Sequence, residues 1–426
     1  MTGYFVIRID SGFRRVLIAG ITLVLFAGSY YAAKWGFANT IATKTNIPEV
    51  AELGVELAPA DPLSRYAYAG ILENTFEQGD VARSLVEYET AVSLSPSDYR
   101  FWLGLGRARE RDGDRGGAEA AYRQAVKVAP HYSRVHWALG NLLVRQGSID
   151  DGFAEIQAAA STDQTFAGPA AAAAWQAFDG NLDKILAAVG DSNAVKVELA
   201  KRLTVQKRFT EAVFVWRSVP LDQRRSEFAE SGKQLSLKCL EGDEFRLAAS
   251  IISETSPDSD IAPKIGVVAN GGFEQEIKTR DTGPFEWRIA DGSYPQIGLT
   301  DGQKRAGSVS LFVRFTGAAN AEFRDVSQLI AVDPSRKYRI WFSYRSELKS
   351  QANVRWEAIA GRSGIRLGVS EPIQPGSEWR DQGFDIVVPP NIDGITLRMI
   401  RENCTIQMCV MTGAVWFDEF RLEASN

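Results

Sequence analysis

The strongest constraint on this 426-residue sequence is a self-similarity at an offset of 34 residues between Arg65 and Gln164. Tyr68, Trp102 and His136 fall into register, as do Leu72, Gly106 and Gly140. The same offset aligns Gly79 with Gly113 and Gly147, Tyr88 with Tyr122 and Ile156, and Ala91 with Ala125 and Ala159. Pro96 and Pro130 close the first two units. Within a unit the spacing is helical: Trp102, Leu105 and Ala108 share one face, and Ala118, Ala121, Tyr122 and Ala125 share another. Gly113 stands where the first helix must stop, because glycine takes the left-handed conformation of a helix end at little cost. Pro130 keeps the second helix from running on. One such hairpin cannot bury its apolar face alone, so the period dictates a stack of neighbours.

A 34-residue helical hairpin with these residues resembles the tetratricopeptide repeat. The middle unit carries most of the motif, in Trp102, Leu105, Gly106, Ala118, Tyr122, Ala125 and Pro130. The resemblance implies an all-α solenoid over 48–254, with clear repeats at 65–164. Val50, Leu53 and Leu57 mark a half-repeat helix before it, and helices continue beyond Gln164 with a blurred period. Ala167–Phe178, Val195–Gln206 with Thr210–Val219, and Glu227–Leu240 with Phe245–Ile252 bring the total to about five hairpins. The resemblance also implies a groove lined by the first helix of each pair, which takes a protein partner. Tyr66, Arg100, Arg107, Arg134 and Asn141 are its candidates by position, the alternative for each being a solvated helix face.

Ahead of the repeats, Val16–Ala33 carries no charge and is long enough to span a bilayer as a helix. Residues 1–15 contain Arg8, Arg14 and Arg15, whereas only Lys34 follows the apolar run closely. Positive residues stay inside, so a signal anchor at 16–34 leaves the bulk of the chain outside. Tyr30, Tyr31 and Trp35 then form an outer aromatic belt. A cleaved signal peptide is the rival, disfavoured by the length of the run and by the bulky Tyr31. The expected location is a bacterial inner membrane, with a single pass and the C-terminal bulk in the periplasm.

At 255–264 the composition turns to Ser, Asp and Pro, as in a linker. Beyond it the apolar period changes to two: Val309, Leu311 and Val313; Tyr338, Ile340 and Phe342; Val354, Trp356 and Ala358; Ile395, Leu397 and Met399; Val415 and Phe417, then Phe420. Such runs between Gly, Pro and Asn turns are half-buried strands. Their number fits an all-β sandwich or jelly roll over 265–424. Asn270-Gly271-Gly272-Phe273-Glu274 opens this part, Gln328–Val332 and Lys337–Arg345 form its centre, and Val415–Leu422 closes it. In that order the pieces are similar to galactose-binding-like jelly rolls, which include carbohydrate-binding modules.

That resemblance implies a polysaccharide ligand, held by an aromatic ring stacked on the sugar with polar side chains beside it. Trp287, Trp356 and Trp379 are candidate platforms, with Arg355, Glu357 and Arg380 as polar partners; the alternative for each Trp is the core. It also implies a structural calcium on Glu274 and Asp418, since carboxylate oxygens suit that hard cation. The alternative is that Asp418 bonds backbone amides.

Of three cysteines, Cys239 falls on the apolar face of a helix, while Cys404 and Cys409 lie close together between two late strands. In an oxidising compartment they are expected to form a short disulfide. The only histidines, His131 and His136, lie inside the repeats. No P-loop, dinucleotide-binding glycine pattern, H-E-x-x-H or G-x-S-x-G is present, so no catalytic constellation emerges. A net charge of −5 gives no reason to expect nucleic acid. The sequence therefore reads as a multidomain, membrane-anchored scaffold that is not an enzyme. Its groove is expected to take a protein partner and its jelly roll to contact a glycan or another subunit, in envelope or exopolysaccharide assembly. The alternatives are a glycan-binding module on a rigid spacer and, third, a carbohydrate-active enzyme.

Overall fold

A computed structural model describes residues 11–75, 79–256, 262–317, 322–350, 352–402 and 410–425. The chain falls into two compact units, Met1–Val195 and Lys196–Asn426.

The first unit opens with α1 (Gly12–Lys44), 33 residues capped by the Ser11 side chain and so about 50 Å long. It is long and apolar enough to cross a membrane, with an 18-residue window of mean hydropathy 1.9 that the protein leaves wholly exposed. The helix continues past the anchor expected at 16–34, to Lys44. Beyond the charge at Lys34, Ala38 and Ala42 lie four apart on one face and are fully buried. They pack on α2 (Pro48–Leu57), where a Cβ on Gly54 would stand 2.8 Å from the Ala42 Cβ and 2.9 Å from the Ala38 carbonyl. Asn39 donates to Asp61 at 2.8 Å. Asp61 also accepts from the Ser64 amide at 3.0 Å, capping α3 (Pro62–Leu72). One rod thus serves as both the apolar segment and the first packed helix of the solenoid.

The repeats follow as α3 with α4 (Asp80–Leu94), α5 (Tyr99–Asp112) with α6 (Arg115–Val128), and α7 (Ser133–Gln146) with α8 (Ile149–Thr162). Gly113 and Gly147 end their helices at φ 86° and 90°, where a side chain would be strained. Gly106 allows α5 onto α6, since a Cβ there would lie 2.4 Å from the Tyr122 ring. The period recurs in hydrogen bonds as well as packing. The Trp102 indole donates to the Pro96 carbonyl at 2.7 Å, and 34 residues on the His136 ring meets the Pro130 carbonyl at 2.8 Å. Two further helices, α9 (Ala167–Ala177) and α10 (Leu182–Val189), complete this unit before α11 (Asn193–Val205) crosses the division.

The second unit continues with α12 (Phe209–Arg217), a short α13 (Leu221–Arg225), α14 (Ala229–Glu241) and α15 (Phe245–Thr255), around the fully buried Trp216. Its strands are β1 (Arg288–Ile289), β2 (Gln296–Thr300), β3 (Ser310–Thr316), β4 (Val326–Ala331), β5 (Lys337–Ser346) and β6 (Lys349–Ser350). They continue with β7 (Asn353–Ala360), β8 (Arg366–Val369), β9 (Gly376–Val387), β10 (Gly394–Glu402) and β11 (Met411–Ser425). The strands pair antiparallel into a five-stranded sheet, β1-β4-β10-β7-β8, and a six-stranded sheet, β2-β3-β11-β5-β9 with β6 on β11. An aromatic core lies between them. Trp356 meets Phe420 at 4.7 Å and Phe417 at 5.4 Å between ring centroids, and Trp287 meets Phe273 at 5.2 Å. Both Phe417 and Phe420 reach this core because β11 bulges between Asp418 and Arg421, with Glu419 at φ 55°.

The composition change at 255–264 marks where helix gives way to strand, whereas the compact units part at 195/196. The last hairpin is fixed to the sandwich. Asp393, just before β10, accepts from the Phe245 amide at 3.0 Å and the Arg246 amide at 2.9 Å, capping α15. The Phe245 ring fills the space left by two glycines, since a Cβ would lie 2.5 Å from it at Gly394 and 3.0 Å at Gly361. Arg246 pairs with Asp333 at 3.4 Å.

Candidate functional site

The first helices of successive repeats are joined by ion pairs. Arg107 of α5 forks onto Glu73, at the end of α3, with bonds of 2.9 to 3.2 Å, and it also donates to the Tyr88 hydroxyl at 3.1 Å. Arg111 approaches Glu73 at 3.5 Å, and Arg145 of α7 pairs with Glu110 of α5. Burial pushes the Tyr122 and Tyr88 hydroxyls well above their usual range, so both remain neutral hydrogen-bonding groups. Of the groove candidates, Arg107 is thus part of this lattice. Tyr66 packs on Phe101 and Tyr88 at 5.3 and 5.5 Å, and Asn141 donates to the Trp137 carbonyl at 2.7 Å. Arg100 holds its own helix-capping Asp98 at 2.6 Å, whereas Arg134 stands exposed, with Asp163 as an electrostatic neighbour. Arg111, Glu110 and Arg145 join the same face. The signal for them was the 34-residue offset itself, which links 111 to 145.

In the sandwich the six glycan candidates do not form one site. Trp287 and Trp356 are 2% and 0% exposed and sit in the aromatic core, which removes both as stacking platforms. The parity of β7 explains this: Trp356 alternates with Val354 and Ala358, all inward. Arg355 and Glu357 take the opposite parity and lie on the outer face of the five-stranded sheet. There Glu357, 2% exposed, accepts from Arg398 at 2.7 Å and from Arg366, while Arg355 pairs with Glu402 at 3.2 Å. Trp379 is half-buried and Arg380 exposed on β9, in the other sheet. An unforeseen ring, Trp341, is also on that sheet, with guanidinium groups of Arg339 and Arg421 at 4.5 and 5.6 Å from its centroid. Its signal was its parity with Arg339 and Ser343, opposite to Ile340 and Phe342.

Glu274 and Asp418 both turn to the loop before β3. Glu274 accepts from the Ser308 amide at 2.8 and 3.0 Å and from Val309 at 3.3 Å. Asp418 accepts from the amides of Arg305 at 2.9 Å, Ala306 at 3.2 Å and Glu419 at 2.8 Å. The Ser308 amide holds the Glu274 carboxyl below the usual range, whereas burial raises that of Asp418. All four carboxylate oxygens thus already take amide protons. Among the described residues no group of three or more His, Cys, Asp or Glu side chains is placed to hold a metal ion. Glu274 and Asp418 together offer four of the six to eight oxygens that a calcium ion takes, each of them already accepting an amide proton. Cys404 and Cys409 lie outside the described residues. Cys239 is a free, buried thiol, pushed up to about 12 by burial.

The tetratricopeptide repeat family model matches residues 75–114 and 109–172. No curated protein matches the chain. Among solved structures, a carbohydrate-binding module of family 4 shares 14% identity over 37% of this chain and 99% of its own, at a TM-score of 0.29. MamA shares 13% over 36% of this chain and 88% of its own, at 0.31. YrrB, a tetratricopeptide-repeat protein with an unusual peptide-binding site, shares 13% over 49% of this chain and 92% of its own, at 0.27. The chain therefore combines one long apolar helix, a solenoid that matches the tetratricopeptide repeat over residues 75–172, and a C-terminal antiparallel β-sandwich.

Proposed function

We propose that this protein is a membrane-anchored, non-enzymatic scaffold. Its repeat groove takes an acidic segment of a partner protein, and its sandwich contacts a glycan. The observation that carries this reading is the charge of the first helices. Arg100, Arg107, Arg111, Arg134 and Arg145 face the acidic Asp98, Glu73, Glu110 and Asp163, which leaves five positive groups against four negative ones, with Arg134 the most exposed of the candidates. Opposite charge steers encounter and selects partners. The arginines ahead of the apolar helix favour a cytoplasmic N-terminus and a periplasmic bulk in a bacterial inner membrane. That location suits a role in envelope or exopolysaccharide assembly. Because α1 enters the solenoid unbroken, the groove is held close to the bilayer.

The test is capture by cross-linking in native membranes, comparing the full chain with an Arg111→Glu, Arg134→Glu variant. A defined partner is expected with the wild type and lost with the variant. An unchanged partner set would refute the groove reading. Protease protection in spheroplasts checks orientation, the repeats being digested from outside.

A further inference from the structure

The outer face of the five-stranded sheet carries a cavity of about 730 Å³, walled on one side by the loop at 279–286. Across its floor the register sets one row of side chains, Arg288 of β1, Ser327 of β4, Arg398 of β10 and Glu357 of β7. Adjacent strands lie about 4.8 Å apart, so the small Ser327 leaves a gap bracketed by two guanidinium groups. Arg398 is anchored by Glu357 at 2.7 Å. Outside the backbone ladder with Ser327, the Arg288 guanidinium makes no hydrogen bond or salt bridge among the described residues, and Asp325 is its electrostatic neighbour. Asp325 lines the same cavity, and its carboxylate accepts no hydrogen bond from another described residue. Burial raises that carboxyl above its usual range even though Arg398 and Arg288 pull it down. Thr396 contributes a hydroxyl already oriented by its 2.7 Å bond to the Gly361 carbonyl, and Leu329 and Ile359 supply an apolar strip.

We infer that this cavity binds a neutral saccharide unit through a hydrogen-bond bracket made by Arg288, Asp325, Ser327 and Arg398. The inference rests on the proposed glycan contact of the sandwich and gives it a site. The chemistry selects the ligand. A half-buried acceptor beside guanidinium donors suits a hydroxyl group, which gives a proton to Asp325 and accepts one from Arg288. Acidic and basic side chains line the cavity in equal number, so an anion meets Asp325 and a cation meets the arginines. Among the described residues no aromatic ring lines it to stack a base. The apolar strip matches the C–H face of a pyranose, and the volume is that of a small-ligand pocket. Recognition here is therefore by polar groups and not by a stacked tryptophan.

The experiment titrates the full chain, in detergent, with neutral gluco-, galacto- and manno-oligosaccharides, using oligogalacturonate and chitosan oligomers as charged controls. At least one neutral oligosaccharide is expected to bind. Asp325→Asn and Arg288→Ala should each weaken it by about tenfold or more, the scale of one charge-assisted hydrogen bond. Ser327→Leu, which fills the gap, should abolish it. Unchanged amide-exchange protection of β7 and β10 confirms that each variant is folded. Binding that survives these variants but is lost in Trp379→Ala overturns the cavity while leaving the glycan reading intact. Preference for a charged oligomer overturns the assigned ligand class. Failure of every saccharide to bind at millimolar concentration overturns both.

Discussion

If the last hairpin is fixed to the sandwich by Asp393, removing that carboxylate should weaken strands that it does not touch. Asp393 accepts from two first-turn amides of α15, at 3.0 and 2.9 Å. Losing a capping side chain costs about 1 kcal/mol, and losing its charge at the positive end of the helix dipole adds about 0.3–1 kcal/mol. Asp393→Ala should therefore cost about 2 kcal/mol. The assay is native-state amide exchange at β7 and β10, whose core positions Val354, Trp356, Ile395 and Leu397 are all fully buried. Where hairpin and sandwich open together, the loss appears as exchange about 30-fold faster in both strands and in α15. Asp393→Asn keeps one acceptor oxygen and should show a smaller loss. Faster exchange in α15 with unchanged rates in β7 and β10 would refute the reasoning, because the sandwich would then open independently of the hairpin.

Gly106→Ala should destabilise the solenoid by about 1–3 kcal/mol, because the new methyl lands 2.4 Å from the Tyr122 ring; thermal unfolding of the variant checks this. Chelation of divalent cations should leave the melting temperature of the sandwich unchanged, because backbone amides already hold Glu274 and Asp418. A drop restored by calcium would contradict that arrangement. The raised carboxyl of Asp325 predicts a pH effect of definite sign. The folded state disfavours its ionised form, so this group lowers stability above its folded pKa. That penalty is relieved as pH falls through the folded pKa towards the ordinary aspartate range. Asp325→Asn should remove this contribution, seen by comparing denaturant unfolding of the two proteins at neutral and mildly acidic pH.

The solenoid was legible because its period is long, its glycines and prolines recur in phase, and its contacts are local to neighbouring units. The sandwich was legible as alternation, and parity carried more than strand positions. It already set Trp356 with Val354 and Ala358 and set Trp341 with Arg339 and Ser343, which distinguishes a core ring from a surface ring. The two-residue skip from Phe417 to Phe420 was the mark of the bulge. Arg288 and Asp325 gave no such sign, since β1 is two residues long and charged side chains are common throughout the chain.

By itself the sequence determined the apolar helix, the 34-residue hairpins and the inward face of each main strand, because these depend on periodicity and on residues close along the chain. Tertiary structure alone decided that α1 runs into the solenoid, that amides occupy Glu274 and Asp418, and that Asp393 joins helix to sheet. It also decided that Arg288, Ser327 and Arg398 share one row. Each of these depends on strand order or packing between segments far apart in the chain, and local propensity carries no record of either.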